Sequence, residues 1–439
     1  MAKVSLVSLG CPKNLVDSEG ALGEITRAGH QLVTDTSRAD VIVVNTCGFI
    51  ESARSESKEA VWEAVEQKKS GRCKAVIVIG CLSQRYAKDL SEAMPEVDGF
   101  LGVGHAGMLA ETIESVLGGR TVLGTCDLPV EWEEHGPRVR STPPWTAYLK
   151  VSDGCDNRCS YCAIPDIRGR FRSRPERFII EEAKELAGSG TKEIVLVGQD
   201  LTQYGVDLGL SNALPGLLAR LNDIDGLRWI RPMYCYPAKV TPELIDVIAS
   251  SERIAKYIDL PLQHADNYVL RAMRRKGTVE QNERVISDLR AACPEIAIRS
   301  TFIVGFPGET PAAFERLLGF VERVKLDRVG VFTYSIEEGT PAAKLKKRIG
   351  GKTAAARLDL LMRLQQSVSL ERNRSFVGKT MDVLIEGHSD GAAIGRTYRD
   401  APEIDGKVRV HNCAAEPGTF IRAKITGADE YDLSARPIT

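Results

Sequence analysis

The sequence predicts an α/β protein in three parts. These are an N-terminal parallel α/β domain, a central open (βα)6 partial barrel, and a small C-terminal antiparallel β-barrel, OB-like in texture. Three observations carry this. Over the first two parts, β-branched runs alternate with helical stretches, the signature of parallel sheets. The middle holds six such units, too few for a closed eight-stranded barrel. From about Val377 the chain turns to short alternating runs separated by Gly and Asp, as in small closed barrels. A length of 439 residues allows two to four domains, and 43% hydrophobic with 27% charged residues excludes disordered and fibrous classes.

Three runs open the chain and each ends in a cysteine: KVSLVSLG at Cys11, DVIVVNT at Cys47 and AVIVIG at Cys81. Between the last two, ESARSESKEAVWEAVEQKK has helical composition. Ligands of parallel sheets bind at the carboxyl ends of strands, so the three cysteines are expected to face one another as a second three-cysteine site. EWEEHGPRVRSTPPW, charged and Pro-rich, predicts a linker at 128–144 between a first domain at 1–127 and a second at 145–370. The barrel strands are TAYLKVS, EIVLVGQ, LRWIRPMYC, YIDLPLQ, IAIRSTFIVGF and RVGVFTYS. PERFIIEEAKELAGSG between them starts with Pro and ends with Gly, as helices prefer. A polar helix, KTAAARLDLLMRLQQSVSLERNRS, leads to the last domain at 371–439, whose strands lie in MDVLIEG, GAAIGRTY, KVRVHN and TFIRAKITGADEYDLS.

Net charge is −5 over residues 1–140, +5 over 141–370 and −1 over 371–439. Part of the central excess is IRGRFRSRPER, with Arg168, Arg170, Arg172, Arg174 and Arg177. This is read either as a solvated face or as contact with an anionic group beside an active site. No apolar run is long enough to cross a bilayer, and MAKVSLVSLG lacks the apolar core of a secretory signal. The expectation is a cytoplasmic protein, and eleven cysteines are then expected to be reduced thiols serving metals or chemistry.

GCDNRCSYC places Cys155, Cys159 and Cys162 as CxxxCxxC on one loop after the first barrel strand. Three thiolates so spaced grip three irons of a four-iron cluster and leave the fourth open for chemistry. A zinc knuckle would need a fourth ligand, and no nearby Cys or His supplies one. The array resembles that of the radical S-adenosylmethionine (SAM) superfamily, whose open iron chelates the amino and carboxylate groups of SAM.

Over essentially its full length the chain resembles the methylthiotransferase family of radical SAM enzymes. That family joins a three-cysteine N-terminal domain, a radical SAM partial barrel and a C-terminal TRAM β-barrel. SLGCPKNLVDSE, SDGCDNRCSYCAIPDIRGRFRSR, PLQHA at 261–265, APEIDG at 401–406 and ADEYDL at 428–433 resemble its RimO branch, which acts on an aspartate of small-subunit ribosomal protein twelve. The tRNA branch (MiaB-like, acting on adenosine) tends instead to show GCQMN-like and PLQSGS motifs. An iron–sulfur electron carrier or redox sensor is a third reading, though its clusters would normally be fully ligated.

The resemblance implies two 4Fe-4S clusters, one SAM-binding cluster on Cys155, Cys159 and Cys162 and a second on Cys11, Cys47 and Cys81. It implies SAM as cofactor, a low-potential electron donor such as flavodoxin or ferredoxin, and a radical that removes hydrogen from the aspartate β-carbon before methylthio transfer. Tyr161 would flank the adenine or pack the loop. Gly198, Gln199 and Asp200 would meet the SAM amino group or simply end a strand, and the loop of Gly305 and Gly308 would contact SAM or simply turn. A last domain at net −1 suits a basic protein partner better than a polyanion, so direct RNA binding is not expected to dominate. The expected substrate contacts are Asp400, Glu403, Asp405, Asp429, Glu430 and Asp432. His264 is expected to be structural, and Cys73, Cys126, Cys235, Cys293 and Cys413 to be packing positions.

Overall fold

Val41–Thr46 and Ala75–Gly80 are buried at every residue, the mark of central strands in a sheet covered on both faces. The computed structural model describes residues 1–438 except 72, 125–126, 129–130, 133, 135 and 137. Its first sheet is parallel and six-stranded, with β1 (Lys3–Ser8), β2 (Gln31–Leu32), β3 (Val41–Thr46), β4 (Ala75–Gly80), β5 (Gly99–Phe100) and β6 (Val122–Leu123) in the order β2-β1-β3-β4-β5-β6. Side-chain alternation splits its core in two. Val41, Val43, Ala75 and Ile77 pack against α1 (Pro12–Arg27) and α4 (Leu109–Leu117), and Ile42, Val44, Val76 and Val78 against α2 (Glu51–Ser70) and α3 (Cys81–Ala93). The order β1-β3-β4 makes the three cysteine-bearing strand ends neighbours.

The second part has six parallel strands: β7 (Thr146–Lys150), β10 (Glu193–Val197), β11 (Trp229–Pro232), β12 (Tyr257–Asp259), β13 (Ala297–Val304) and β14 (Arg328–Thr333). A short hairpin of β8 (Ser152–Asp153) and β9 (Arg172–Ser173) braces the cysteine loop. Around the strands run α5 (Ile164–Arg168), α6 (Glu176–Gly188), α7 (Ala213–Asn222), α8 (Pro242–Ser250), α9 (Asn267–Ala272), α10 (Val279–Ala292), α11 (Pro311–Val324) and α12 (Gly351–Arg374). Ile194 and Leu196 face the helices, while Val195 and Val197 face the lumen beside Tyr148, Met233 and Tyr257. The helix α12 runs across the boundary expected at 370/371.

The third part is a closed five-stranded barrel, β15 (Thr380–Ser389), β16 (Ala392–Arg396), β17 (Val408–His411), β18 (Phe420–Ala428) and β19 (Leu433–Pro437), with every pair antiparallel except β17 with β19. Its β16–β17 connection closes the lumen of the partial barrel. Ala401 and Tyr398 pack among the lumen residues. Arg396 Nη2 lies 2.6 Å from Glu193 Oε2, Tyr257 donates to Asp405 Oδ2 at 2.8 Å, and Arg328 Nε donates to Asp400 Oδ1 at 3.2 Å. Glu193, Tyr257 and Arg328 each begin their strand, so the seal is at the amino end of the barrel, opposite the cysteine loop.

Two expected substrate contacts are corrected by this. Asp400 is 1% exposed and the Asp405 side chain 2%; both are held by arginines inside the interface and are not available to a partner. Glu403, Asp429, Glu430 and Asp432 are exposed.

Candidate functional site

Each N-terminal cysteine sits where a strand hands over to a helix. Cys11 is the N-cap residue of α1, its carbonyl accepting the N–H groups of Asn14 and Leu15. Cys47 follows β3 and exchanges hydrogen bonds with the Ser57 hydroxyl through its N–H (2.9 Å) and its carbonyl (3.0 Å). Cys81 begins α3. The three turns touch: a Cβ on Gly10 (φ +91°) would come within 2.9 Å of Cys47 Cβ, and one on Gly48 within 2.7 Å of the Cys81 carbonyl oxygen. Only glycine permits that approach.

The second triad occupies the loop after β7 and β8. Cys155 N–H donates to the Gly169 carbonyl, Cys162 N–H to the Cys159 carbonyl, and Ser160 N–H to the Met273 carbonyl, which ties the loop to α9. Gly154, at φ +75°, lies so close to the Arg170 carbonyl that a Cβ would be 2.0 Å away. Arg275 donates to the Pro261 carbonyl, stacks on Tyr236 with 3.9 Å to the ring centroid, and brings Nη1 to 3.8 Å from Cys159 Sγ.

Arg168 joins the two sites. Its guanidinium is 1% exposed and reaches Asp153 Oδ2 at 3.0 Å, Asp17 Oδ2 at 2.9 Å and Cys81 Sγ at 3.5 Å. The Arg run is thus neither a solvated face nor a single anion-binding strip. Arg168, Arg172 and Arg174 are buried, Arg174 on Glu134 and Glu182, while Arg170 and Arg177 are exposed. A second clasp holds the N-terminal domain to the rim, where Arg54 and, at 3.2 Å, Arg85 donate to Glu337 after β14. Neither clasp was read from the sequence; the density of arginines after the cysteine motif was a signal for Arg168 alone.

Electrostatics differ within the triads. Burial pushes the Cys47 and Cys155 thiols to about 11 and raises Cys81 and Cys162 as well. Burial also acts to raise Cys11, but the Lys13 and Arg168 charges outweigh it and leave that thiol below its ordinary value. Such thiols become good ligands when a metal displaces their protons. All six are free of disulfides. A guanidinium beside each triad suits the negative charge of a thiolate-bound cluster. Among the described residues no three His, Cys, Asp or Glu side chains gather as around a single ion. Free thiols with a guanidinium beside them are a donor set of the kind a four-iron cluster takes, one thiolate per iron.

The remaining expected residues are placed as follows. Asp200 is 1% exposed and accepts from Asn157 Nδ2 (2.7 Å), Gln203 Nε2 (3.0 Å) and Lys239 Nζ (3.1 Å), bracing the cysteine loop against the second barrel strand. Gln199 donates to Asp153 Oδ1 at 2.8 Å, and a Cβ on Gly198 would meet Ser152 Oγ at 2.3 Å. Tyr161 packs against the cluster of Val269, Met273 and Phe306. Gly305 (φ +75°) donates its N–H to Glu309 and faces Ala354, and Gly308 donates its N–H to the Lys347 carbonyl. His264 is buried with Nε2 3.2 Å from Glu309 Oε1, a structural hydrogen bond as expected. Cys73 and Cys235 are buried in cores, Cys293 and Cys413 pack against them, and Cys126 lies outside the described residues.

Comparison with known proteins matches the three parts in order. The uncharacterized protein family UPF0004 covers residues 3–102, the Radical SAM superfamily 149–321 and the TRAM domain 377–438. The ribosomal protein uS12 methylthiotransferase RimO of Desulforamulus reducens is 49% identical, with 99% of each chain covered. That of Pelotomaculum thermopropionicum is 47% identical over the same shares. The chain belongs to the RimO family of methylthiotransferases. It is a radical SAM enzyme transferring methylthio groups, and SAM and a 4Fe-4S cluster come with that membership. Among solved structures, the methyltransferase TsrM from Kitasatospora setae with cobalamin and a [4Fe-4S] cluster bound superposes with a TM-score of 0.59 at 15% identity, covering 89% of this chain and 76% of that one. The cobalamin-dependent radical enzyme OxsB gives 0.53 at 13% identity, covering 83% and 56%. Both share the fold alone. No helix among the described residues is long and apolar enough to cross a membrane.

Proposed function

We propose that this chain inserts a methylthio group at the β-carbon of an aspartate in ribosomal protein uS12, using two 4Fe-4S clusters, one on each cysteine triad. The observation that carries the substrate is 49% identity along the whole chain to a uS12 methylthiotransferase, with the RimO-like motifs falling in both cysteine sites and in the terminal barrel. Support for two clusters comes from two triads of free thiols that a single arginine, Arg168, ties to one interface.

Bound there, the clusters and SAM supply one-electron radical generation and the sulfur and methyl groups, chemistry no side chain can perform. The chain's part is to hold and exclude. Cys155, Cys159 and Cys162 would ligate the SAM-binding cluster, and Cys11, Cys47 and Cys81 the second. Asp200, Asn157 and Lys239 keep the first loop in place. Gly198, Gln199, Gly305, Gly308 and Tyr161 line or support its approaches and are proposed to shape the SAM site. Arg168 and the Glu337 clasp fix the N-terminal domain over the barrel mouth.

On the terminal barrel, Glu403, Asp429, Glu430 and Asp432 surround exposed Ile404 and Tyr431. The two segments adjoin, because Lys407 N–H donates to Asp432 Oδ1 at 2.8 Å and Leu433 N–H to the Lys407 carbonyl at 2.9 Å. An acidic rim around an apolar centre suits a basic ribosomal protein. A low-potential donor such as flavodoxin or ferredoxin in the cytoplasm completes the reading. The test is incubation of reconstituted enzyme with uS12 and with tRNA, followed by mass measurement of both. A methylthio gain on uS12 alone is expected; methylthio-adenosine in tRNA with uS12 unmodified would overturn it.

A further inference from the structure

Ser160, between Cys159 and Cys162, is gripped from two sides. Its N–H donates to the Met273 carbonyl at 2.9 Å and its hydroxyl to the Ala272 carbonyl at 2.7 Å, at the end of α9. Its own carbonyl accepts the Ala342 N–H at 2.8 Å, from the segment that precedes α12. Each gripping segment is a basic run. Residues 271–276 (RAMRRK) and 341–348 (PAAKLKKR) hold four cations each and no acid. Arg274, Lys276, Lys344, Lys346 and Lys347 in these runs are exposed, as is Arg158 in the cysteine loop itself.

Cations deeper in the site are matched to acids: Lys150 and Arg168 to Asp17 and Asp153, and Lys239 to Asp200. Among the described residues, the six exposed cations have no carboxylate within ion-pair distance. Asp156, the acid of the cysteine loop, has Arg170 Nε at 3.9 Å. Scattered surface charge serves solubility, but here charges of one sign lie on the cysteine loop and on both segments bonded to it. Such a surface attracts an oppositely charged partner and steers it into place. A basic substrate protein gains nothing from it, and the acidic rim suited to that protein is on the terminal barrel, which seals the opposite end of the partial barrel. What the cysteine loop has to receive from another protein is an electron. Electron transfer slows steeply with distance, so the donor has to dock against this loop.

We propose that these six cations form the docking surface for an acidic one-electron donor protein of the flavodoxin or ferredoxin kind. This rests on the SAM-binding cluster standing on Cys155, Cys159 and Cys162, as proposed above. The donor loses one electron and the cluster gains it; no bond forms or breaks and no proton moves. Arg275, in the first basic run, brings Nη1 to 3.8 Å from Cys159 Sγ, so the surface and the cluster site adjoin.

The experiment measures binding of oxidised flavodoxin, oxidised ferredoxin and a ribosomal RNA fragment over a range of salt. The proteins compared are cluster-loaded wild type, K276E/K344E/K346E, and K184E/K424E/R436E, which makes the same charge change at exposed positions of α6 and the terminal barrel. SAM cleavage is driven in parallel by the reduced donor and by dithionite. Expected in the first variant are a loss of donor affinity of roughly 10-fold or more at low salt and a flatter salt dependence. Donor-driven cleavage should slow in step, while iron content and dithionite-driven cleavage match wild type. The second variant should bind donor as wild type does. Donor binding that is absent in wild type, unchanged in the first variant, or lost equally in both variants overturns the assignment. Weakened RNA binding with donor affinity intact does so too, and gives the patch to nucleic acid. If wild type cleaves no SAM with dithionite, the cluster reading falls and this inference with it. Cleavage with dithionite and donor binding that ignores these charges sinks this inference alone.

Discussion

The two cysteine triads reach one interface by opposite routes. Cys155, Cys159 and Cys162 lie within eight residues, and a single loop tied to Gly169, Met273 and Asp200 presents them. Cys11, Cys47 and Cys81 are 36 and 34 residues apart and converge because β1, β3 and β4 are neighbours in the sheet. A loop site depends on local turns and can be disturbed without unfolding its domain. A strand-end site is as stable as the sheet beneath it, because moving Cys47 or Cys81 means moving a fully buried strand. Radical generation, which needs an open iron and SAM, would sit on the adjustable loop. Sulfur delivery, which needs a fixed position relative to the radical, would sit on the rigid sheet.

The sharpest break of this comparison is to remove each triad. Anaerobically reconstituted protein should hold about eight irons, as two four-iron clusters. Changing Cys155, Cys159 and Cys162 to Ala should leave about half the iron and abolish both SAM cleavage to 5′-deoxyadenosine and methylthiolation. Changing Cys11, Cys47 and Cys81 should also halve the iron, yet cleavage should persist while product disappears. Methylthiolated product from the second variant would reduce the strand-end cysteines to packing.

Next comes the clasp that sets one site against the other. Glu337→Gln leaves Arg54 and Arg85 without their shared carboxylate, and breaking a buried pair costs on the order of 3 kcal/mol. Both clusters should still load. The ratio of 5′-deoxyadenosine formed to product formed should rise several-fold, since the radical is made but no longer held against its acceptor. An unchanged ratio would show that Arg168 and its acids suffice.

A finer probe uses the two strained glycines. A Cβ at Gly80 (φ +93°) would lie 2.2 Å from Asn45 Oδ1, and one at Gly154 2.0 Å from the Arg170 carbonyl. Each Gly→Ala change should destabilise by about 1–3 kcal/mol, read by denaturant midpoint. Gly80→Ala should lower iron at the strand-end site and spare SAM cleavage; Gly154→Ala should do the reverse. Identical iron loss in both would mean that the sites load as one unit.

The smallest effect is one in which the triads should agree. Cys47 and Cys155 are both pushed by burial to about 11 from an ordinary value of 9.0. A raised folded pKa contributes stability that is whole below about pH 9 and lost as pH rises through 11. Cluster-free protein should therefore weaken over that window, and Cys47→Ala and Cys155→Ala should each flatten the decline in thermal melts against pH. Cluster-loaded protein, its thiols already deprotonated by metal, should lack this component.

By itself the sequence determined whatever local pattern can encode. Alternating β-branched and helical stretches set the parallel class, CxxxCxxC set the loop site, and the Gly- and Asp-punctuated tail set the small barrel, because periodicity and spacing act over a few residues. It also placed a cysteine at the end of each of three strands, and strand ends in a parallel sheet share one edge. Only the tertiary structure decided which charges would be buried and against what. Asp400, just before APEIDG, and Asp405 within it look like surface acids, yet they close the barrel on Arg328 and Arg299. Arg168 and Arg174 look like a basic strip, yet each is buried on two acids, for Arg168 Asp17 and Asp153 and for Arg174 Glu134 and Glu182. Lys13, inconspicuous between Cys11 and Asn14, finds its ring contact in Tyr234, more than two hundred residues away. A charge carries no sign of its partner along the chain, because ion pairing depends on distance in space and on how much water the fold removes.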